Sequence, residues 1–270
     1  MKDGIMSGKD IQALFLGDIC GQPGNRAVFI GLKQLIKDYR ADVVIANGEN
    51  ASDGFGITPE IADALFTAGV DIITSGNHIW QKNEIFPMLN GQRKIIRPAN
   101  YPPGVPGKGI ASIKVKGVEV VVINLQGRMH MSPIDCPFRI GKELVQQVKQ
   151  QNACILIDFH AESTEEKEAL ALYLDGTVAA VVGTHTHIQT ADERILPKGT
   201  AYITDIGMTG PVMSVIGSEP GISIRRQMTQ IPLKNQISDT PAALNGVVVT
   251  INSDKGLAKK IVRFSKEMGV

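Results

Sequence analysis

Apolar residues in this chain come in short blocks that end on small or polar residues, and these blocks alternate with stretches of helical spacing. The first block, residues 11–16, stops at Gly17-Asp18, and Gly21-Gln22-Pro23-Gly24 follows soon after. A run so short, closed by turn residues, predicts a buried strand. Val28, Leu32, Leu35, Ile36 and Tyr39 then recur at the spacing of an amphipathic helix. Residues 43–46 are the next strand, closing on Asn47-Gly48-Glu49-Asn50. Thr58-Pro59 supplies a capping hydroxyl and a first-turn proline for a helix whose apolar face is Ile61, Leu65 and Ala68 and whose end is Gly69. A strand at 70–74 closes on Ser75-Gly76-Asn77-His78. Strand, loop and helix repeated in this way favour parallel strands with helical crossovers.

The middle of the chain changes character. Residues 97–109 hold four prolines and three glycines and predict a rigid loop. Residues 110–115 and 118–124 flank Lys116-Gly117 as a hairpin. Residues 140–148 read as a helix and 154–158 as a strand with His160 just past its end; Ser163-Thr164-Glu165-Glu166 is a capping box that starts another helix. A strand at 178–182 leads into Gly183-Thr184-His185-Thr186-His187. Residues 246–252 and 258–264 flank a turn at 253–256, and the glycine- and proline-rich stretch 207–221 reads as a loop.

These elements predict an α/β fold: a two-sheet mixed β-sandwich flanked by helices, parallel at first and antiparallel later, with a plain doubly wound sheet as the alternative. Residues 11–270 form a single domain and residues 1–10 a polar N-terminal extension. The composition, 43% hydrophobic and 20% charged, is that of an ordinary globular chain. A net charge of +1 gives no footprint for broad nucleic-acid binding, although a single nucleotide or a short RNA end remains compatible. No segment approaches a membrane span or a secretory signal. Cys20, Cys136 and Cys154 form no paired motif, which agrees with reduced thiols and a cytoplasmic location. A homo-oligomer is compatible with the sequence.

Four of the five histidines, His78, His160, His185 and His187, fall just after predicted strands, as do Asp18, Glu49 and Asn77. The crevice beyond the carboxyl ends of parallel strands is where ligands bind. Each residue alone has a plainer reading, Asp18 and Asn77 as turn formers and His160 as a buried histidine. Their recurrence at five strand ends points instead to metal. Imidazole, carboxylate and amide donors suit Mn, Fe or Zn better than Ca or Cu(I). Seven donors exceed one tetrahedral site and fit two ions about 3.5–4 Å apart sharing a bridging carboxylate. Two divalent ions over-compensate Asp18 and Glu49 by two positive charges, which a hydroxide and a singly charged phosphodiester would balance.

These motifs resemble the calcineurin-like metallophosphoesterases and, more closely, the YmdB family of bacterial metallophosphoesterases. The resemblance rests on Gly17-Asp18-Ile19-Cys20-Gly21, Asn47-Gly48-Glu49-Asn50, Ser75-Gly76-Asn77-His78-Ile79-Trp80, Cys136-Pro137-Phe138, Gly183-Thr184-His185-Thr186-His187 and the segment Thr204-Asp205-Ile206-Gly207-Met208-Thr209-Gly210-Pro211. Cys20 and Glu49 stand where many members of the wider superfamily have histidine and aspartate, and the YmdB-like family shares both changes. The resemblance implies an α/β/β/α sandwich and metal-dependent phosphodiester hydrolysis by a metal-bound hydroxide, with 2′,3′-cyclic nucleotides among the substrates. It implies one metal held by Asp18, Glu49, Asn50 and His187, a second held by Glu49, Asn77, His160 and His185, and His78 as general acid. The ions would be two divalent or mixed-valence metals, Fe or Mn first and Zn next. A phosphomonoesterase, a nuclease, or a metal- and nucleotide-binding regulatory protein with weak turnover are the alternatives. Cys20 as a thiolate ligand is disfavoured because other donors fill both sites, and Arg128 and His130 are further candidates to face substrate.

Overall fold

The structure, a computed structural model, describes residues 10–91, 94–149 and 153–269. Apart from Asp10, the N-terminal extension read at residues 1–10 lies outside the described residues. In chain order the first half contains β1 (Ile11–Leu16), β2 (Asp18–Ile19), α1 (Gly21–Tyr39), β3 (Val43–Asn47), α2 (Pro59–Ala68), β4 (Ile72–Thr74) and the short α3 (Phe86–Leu89). The hairpin β5 (Ile110–Val115) and β6 (Val118–Gln126) follows, then α4 (Pro137–Lys149), β7 (Cys154–His160), α5 (Thr164–Leu174) and β8 (Ala180–Thr184). The last part holds β9 (Arg194–Ile195), β10 (Ala201–Ile203), β11 (Met208–Pro211), α6 (Pro220–Thr229), β12 (Ala242–Asn252) and β13 (Leu257–Met268). Among the described residues no helix is long and apolar enough to cross a membrane.

The strands form two sheets. One runs β2-β11-β12-β1-β3-β4, with β13 on the outer edge of β12; the other runs β5-β6-β7-β8-β10-β9. Side-chain parity explains their stacking, because alternate residues of a strand face opposite sides. On β1, Ile11, Ala13 and Phe15 enter the core between the sheets, with Cys154 and Leu156 of β7 and Val120 and Val122 of β6. The intervening Leu14 and Leu16 pack on α1 and α2. The intervening Val121, Ile123, Ile155, Ile157 and Phe159 pack on α4 and α5. Helix, sheet, sheet and helix therefore make four layers, the sandwich expected from the sequence.

Several local expectations needed correction. Parallel pairing is not confined to the first half: β6, β7, β8 and β10 form a second parallel block, and antiparallel strands lie beside each block. Gly21-Gln22-Pro23-Gly24 is the first turn of α1 rather than a separate turn, a position where proline costs no hydrogen bond. Part of the 207–221 loop is β11, which pairs with β2 through Met208↔Asp18 and Thr209↔Ile19. His160 is the last residue of β7 rather than a residue beyond it. The Ser163 hydroxyl caps Glu166 N at 3.2 Å, but the Glu166 carboxylate accepts from Arg128 N and Met129 N, so only half of the capping box forms.

At the carboxyl end of the parallel strands, the layer between the sheets turns from apolar to polar. The parity that places Val43 and Ile45 in the inner core also places Asn47 there, and Cys154 and Leu156 are followed by Asp158 and His160. Buried Asp158 accepts from Thr74 Oγ1 at 2.5 Å, Asn47 Nδ2 at 3.0 Å and Thr184 Oγ1 at 2.7 Å. One carboxylate thus cross-links both sheets directly beneath the strand-end loops.

Candidate metal centre

Those loops bring the expected residues together. The Nε2 of buried His160 lies 3.1 Å from Glu49 Oε1, 3.1 Å from Asn77 Oδ1 and 3.0 Å from His185 Nδ1. One ring nitrogen has one proton or one lone pair to offer and cannot satisfy three neighbours. Four donor atoms converging in this way outline the coordination shell of a cation. Ligands about 2.1 Å from an ion and at right angles to one another sit about 3.0 Å apart, which matches these contacts.

The remaining donors surround the same glutamate. Asn50 Nδ2 lies 3.1 Å from Glu49 Oε1 and 3.0 Å from His187 Nε2, while Asn50 Oδ1 is 2.7 Å from His78 Nδ1. Asp18 is fully buried; its Oδ2 accepts from His185 N at 3.1 Å, but its Oδ1 has no hydrogen-bond partner among the described residues. An orphaned buried carboxylate oxygen is costly, and a cation would satisfy it. The donor set therefore fits divalent ions.

Outer contacts fix the histidine tautomers. His160 Nδ1 meets Thr184 Oγ1 at 2.9 Å, and Thr184 in turn donates to Asp158. His187 Nδ1 donates to Ile216 O at 2.8 Å. His185 Nε2 lies 3.1 Å from Glu162 Oε2. In each ring the nitrogen away from the cluster holds the hydrogen bond and turns the other nitrogen inward, the orientation that metal-ligating histidines require. Burial, followed by repulsion from His160, lowers the His185 imidazole to about 3. Its contact with Glu162 is therefore a hydrogen bond from a neutral ring, not an ion pair.

Charge in this cluster is strongly perturbed. Burial pushes His160 down, but the Glu49 carboxylate beside it, with Asp18 and Asp158, raises it to about 9. Burial raises Glu49, and His160 outweighs it, holding the carboxyl well below its usual range. Burial lifts Asp18 to about 6 against the pull of His160 and His187. Burial, with Asp18 and Glu49, raises the Cys20 thiol to about 12.

The backbone is shaped to permit these contacts. A Cβ on Gly76 would fall 2.2 Å from both Glu49 Oε2 and His160 Cδ2, so only glycine allows this loop to close on the cluster. His185 and His187 adopt φ values of 104° and 68°. Such strain persists only when the surroundings impose it. Here the intervening Thr186 is pinned to Asp205 Oδ2 through its N–H at 3.0 Å and its hydroxyl at 2.9 Å. Asp205 is paired with fully buried Lys167 at 2.9 Å.

A cavity of about 330 Å³ opens over the cluster, and Phe55, His78, Arg226 and Asn235 join the metal-site residues in lining it. Cavities of about 480 and 520 Å³ elsewhere contain none of the clustered donors. Arg128 lines the second of these, and His130 is exposed on a turn, so neither borders the metal-site cavity. Sequence reading missed Asp158, Glu162, Phe55 and Arg226, and carried Asp205 only as part of a family motif. Asp158 had a signal, being a carboxylate two residues before His160 in an apolar strand. Phe55 stands on the short loop that follows Glu49 and Asn50, whereas Arg226 had no signal, because its helix reaches the cavity only through tertiary packing.

The sequence model of the family described as YmdB-like protein matches residues 14–264. A curated relative from Bacillus subtilis, named 2′,3′-cyclic-nucleotide 2′-phosphodiesterase, is 47% identical over 253 residues, covering 94% of this chain and 96% of that protein. Two solved structures superpose over nearly the whole chain. A hypothetical protein from Thermus thermophilus has a TM-score of 0.90 at 41% identity, covering 95% of this chain and 99% of that one. A structure described as a novel phosphatase from Mycoplasma pneumoniae has a TM-score of 0.89 at 36% identity, covering 96% and 95%.

Proposed function

The chain belongs to the YmdB-like protein family, and from that premise we propose that it is a metal-dependent phosphodiesterase that opens 2′,3′-cyclic nucleotides. The observation that carries this reading is the convergence of Glu49, Asn77 and His185 on one nitrogen of His160. It is supported by the relative named for that activity. Asp18, Glu49, Asn50 and His187 would hold one ion, and Glu49, Asn77, His160 and His185 the other, with Fe or Mn favoured over Zn by the mixed oxygen and nitrogen donors. Such ions supply hydroxide from water at neutral pH and neutralise the phosphoryl oxygens.

The chain's own residues do the rest. Arg226, which has no ion pair among the described residues, lines the same cavity and offers a guanidinium to the phosphate. His78 Nδ1 is held by Asn50 Oδ1, with Glu49 Oε1 3.3 Å away, so Nε2 is the atom left to move a proton. If the Asn50 amide turns end for end to ligate through Oδ1, its Nδ2–H donates to His78 Nδ1. The ring proton then sits on Nε2, where protonation of a leaving sugar oxygen needs it. His78→Ala is expected to cut turnover about 10²–10⁴-fold on a cyclic nucleotide but far less on an aryl ester, with metal content unchanged. Equal losses on both substrates would remove the acid role.

The pH dependence follows from His160. Its folded value of about 9 lies above the ordinary 6.5. A raised pKa gives stability that is full below pH 6.5 and is lost as pH rises through about 9. The metal-free protein should therefore lose Tm across that window. A metal must displace this proton, so affinity should climb up to about tenfold per pH unit below pH 9, with proton release. Calorimetry in buffers of different ionisation enthalpy measures that release; a proton count of zero at pH 7 would contradict the assignment of His160.

Hydrolysis by metal-reconstituted protein tests the function, using 2′,3′- and 3′,5′-cyclic nucleotides, monoesters and short RNA. The expected result is fastest opening of the 2′,3′-cyclic substrates. Preference for monoesters would favour the phosphatase reading carried by the Mycoplasma pneumoniae structure's description.

A further inference from the structure

We propose that Phe55 is a nucleobase platform, so that the cavity takes a nucleoside phosphate with its base lying on the Phe55 ring. The inference rests on the phosphodiesterase reading for the side on which the nucleoside lies. In that reading His78 protonates the departing sugar oxygen, and the sugar lies within hydrogen-bond reach of His78. The ring of Phe55 meets the His78 ring edge-on, with centroids 5.0 Å apart and planes at 72°. The base, carried by that sugar, is the next group to meet this wall.

An exposed phenylalanine alone carries no meaning. Phe55 differs because it is 41% exposed while lining the metal-site cavity. It also sits on a closed loop that springs from the metal-site residues. Gly54 N donates to Asn50 O at 3.1 Å, Gly56 N to Glu49 O at 2.5 Å, and Phe55 N to Ser52 O at 2.9 Å. Positive φ values at Asp53, Gly54 and Gly56 let the loop close in this way. The backbone that carries the ring is thus held in place before any ligand arrives, which lowers the ordering cost of binding. Asn235 lines the same cavity as well as the neighbouring one of about 480 Å³, and its buried Oδ1 has no hydrogen-bond partner among the described residues. An amide offers both donor and acceptor to a base edge, and Arg226 answers the phosphate charge on the same lining. Aromatic face, unpartnered amide and unpaired guanidinium together match the face of the base, its edge and the phosphate.

The test compares metal-loaded wild type, Phe55→Leu and Phe55→Trp on adenosine 2′,3′-cyclic phosphate and on methyl riboside 2′,3′-cyclic phosphate, which lacks a base. Phe55→Leu should raise KM for the nucleotide about 5- to 150-fold, the usual worth of base–aromatic stacking. The base-less KM should stay within about twofold, and Phe55→Trp should restore nucleotide binding. Equal changes on both substrates, or a loss confined to kcat, would mean that Phe55 only packs His78 and would overturn the platform. If wild type hydrolyses neither ester, the phosphodiesterase reading fails. Equilibrium binding of adenosine 3′-phosphate against ribose 3-phosphate then decides the platform by itself. A preference for the nucleotide that Phe55→Leu abolishes supports it, and equal binding overturns it.

Discussion

Glu49→Gln is expected to lower kcat/KM on a cyclic nucleotide by at least about a thousand-fold and to leave fewer than two metal ions per chain. The substitution preserves shape and replaces one carboxylate oxygen by an amide nitrogen that donates and cannot ligate. Glu49 has no oxygen to spare: Oε1 faces His160, Asn50 and His78 Nδ1, and Oε2 accepts from His78 N. The metal-free protein gives an independent readout. Burial pushes His160 down, and Glu49 is the largest influence raising it to about 9. With Glu49 neutral, His160 should titrate well below that value, a shift visible in imidazole NMR resonances. Retention of two ions and of a rate within about tenfold of wild type would show that Glu49 is not shared between sites.

Lys167→Met should produce the largest loss of stability. Lys167 and Asp205 are a fully buried ion pair, and removing one partner strands the other charge, at a cost of about 3–5 kcal/mol. For a chain of this size that is a fall in Tm of roughly 6–20 °C. The damage should reach the metal site, because Asp205 also pins Thr186 between the two positive-φ histidines. Metal affinity should fall about 10- to 100-fold, the usual effect of losing an outer-shell partner. Lys167→Met combined with Asp205→Leu should recover only part of the stability, since no charge is stranded but Gly207 N and Thr186 lose their acceptor, and it should not recover the affinity. Thermal scans and metal titration separate the two effects; an unchanged Tm in Lys167→Met would contradict the importance of the pair.

The two halves of this account were not equally legible in the sequence. Short apolar blocks ending at Asp18, Asn47, Thr74 and Thr184 marked the parallel strands, because a buried strand must stop where polar loop residues begin. The same rule exposed His185, His187 and Asn77. What stayed hidden depends on contacts distant in the chain. β11 is recognisable only by its pairing with β2 and β12, and its glycine and proline read locally as a loop. α6 buries none of its residues, so the apolar pair Ile224 and Met228 on it covers no core, yet it delivers Arg226 to the cavity. Asn50 could be assigned only through family resemblance, since in sequence it is one more residue of a turn. Asp205 gave no sign that it would anchor Thr186, because the two are joined by geometry and not by spacing.

The most direct measurement titrates metal-free protein with Mn or Fe(II), following bound ions per chain by elemental analysis and hydrolysis of adenosine 2′,3′-cyclic phosphate in the same samples. The account predicts no hydrolysis without metal and a rate that rises with occupancy to a plateau at two ions per chain. Full activity in metal-free protein, or two bound ions with no phosphodiester cleavage, would contradict it.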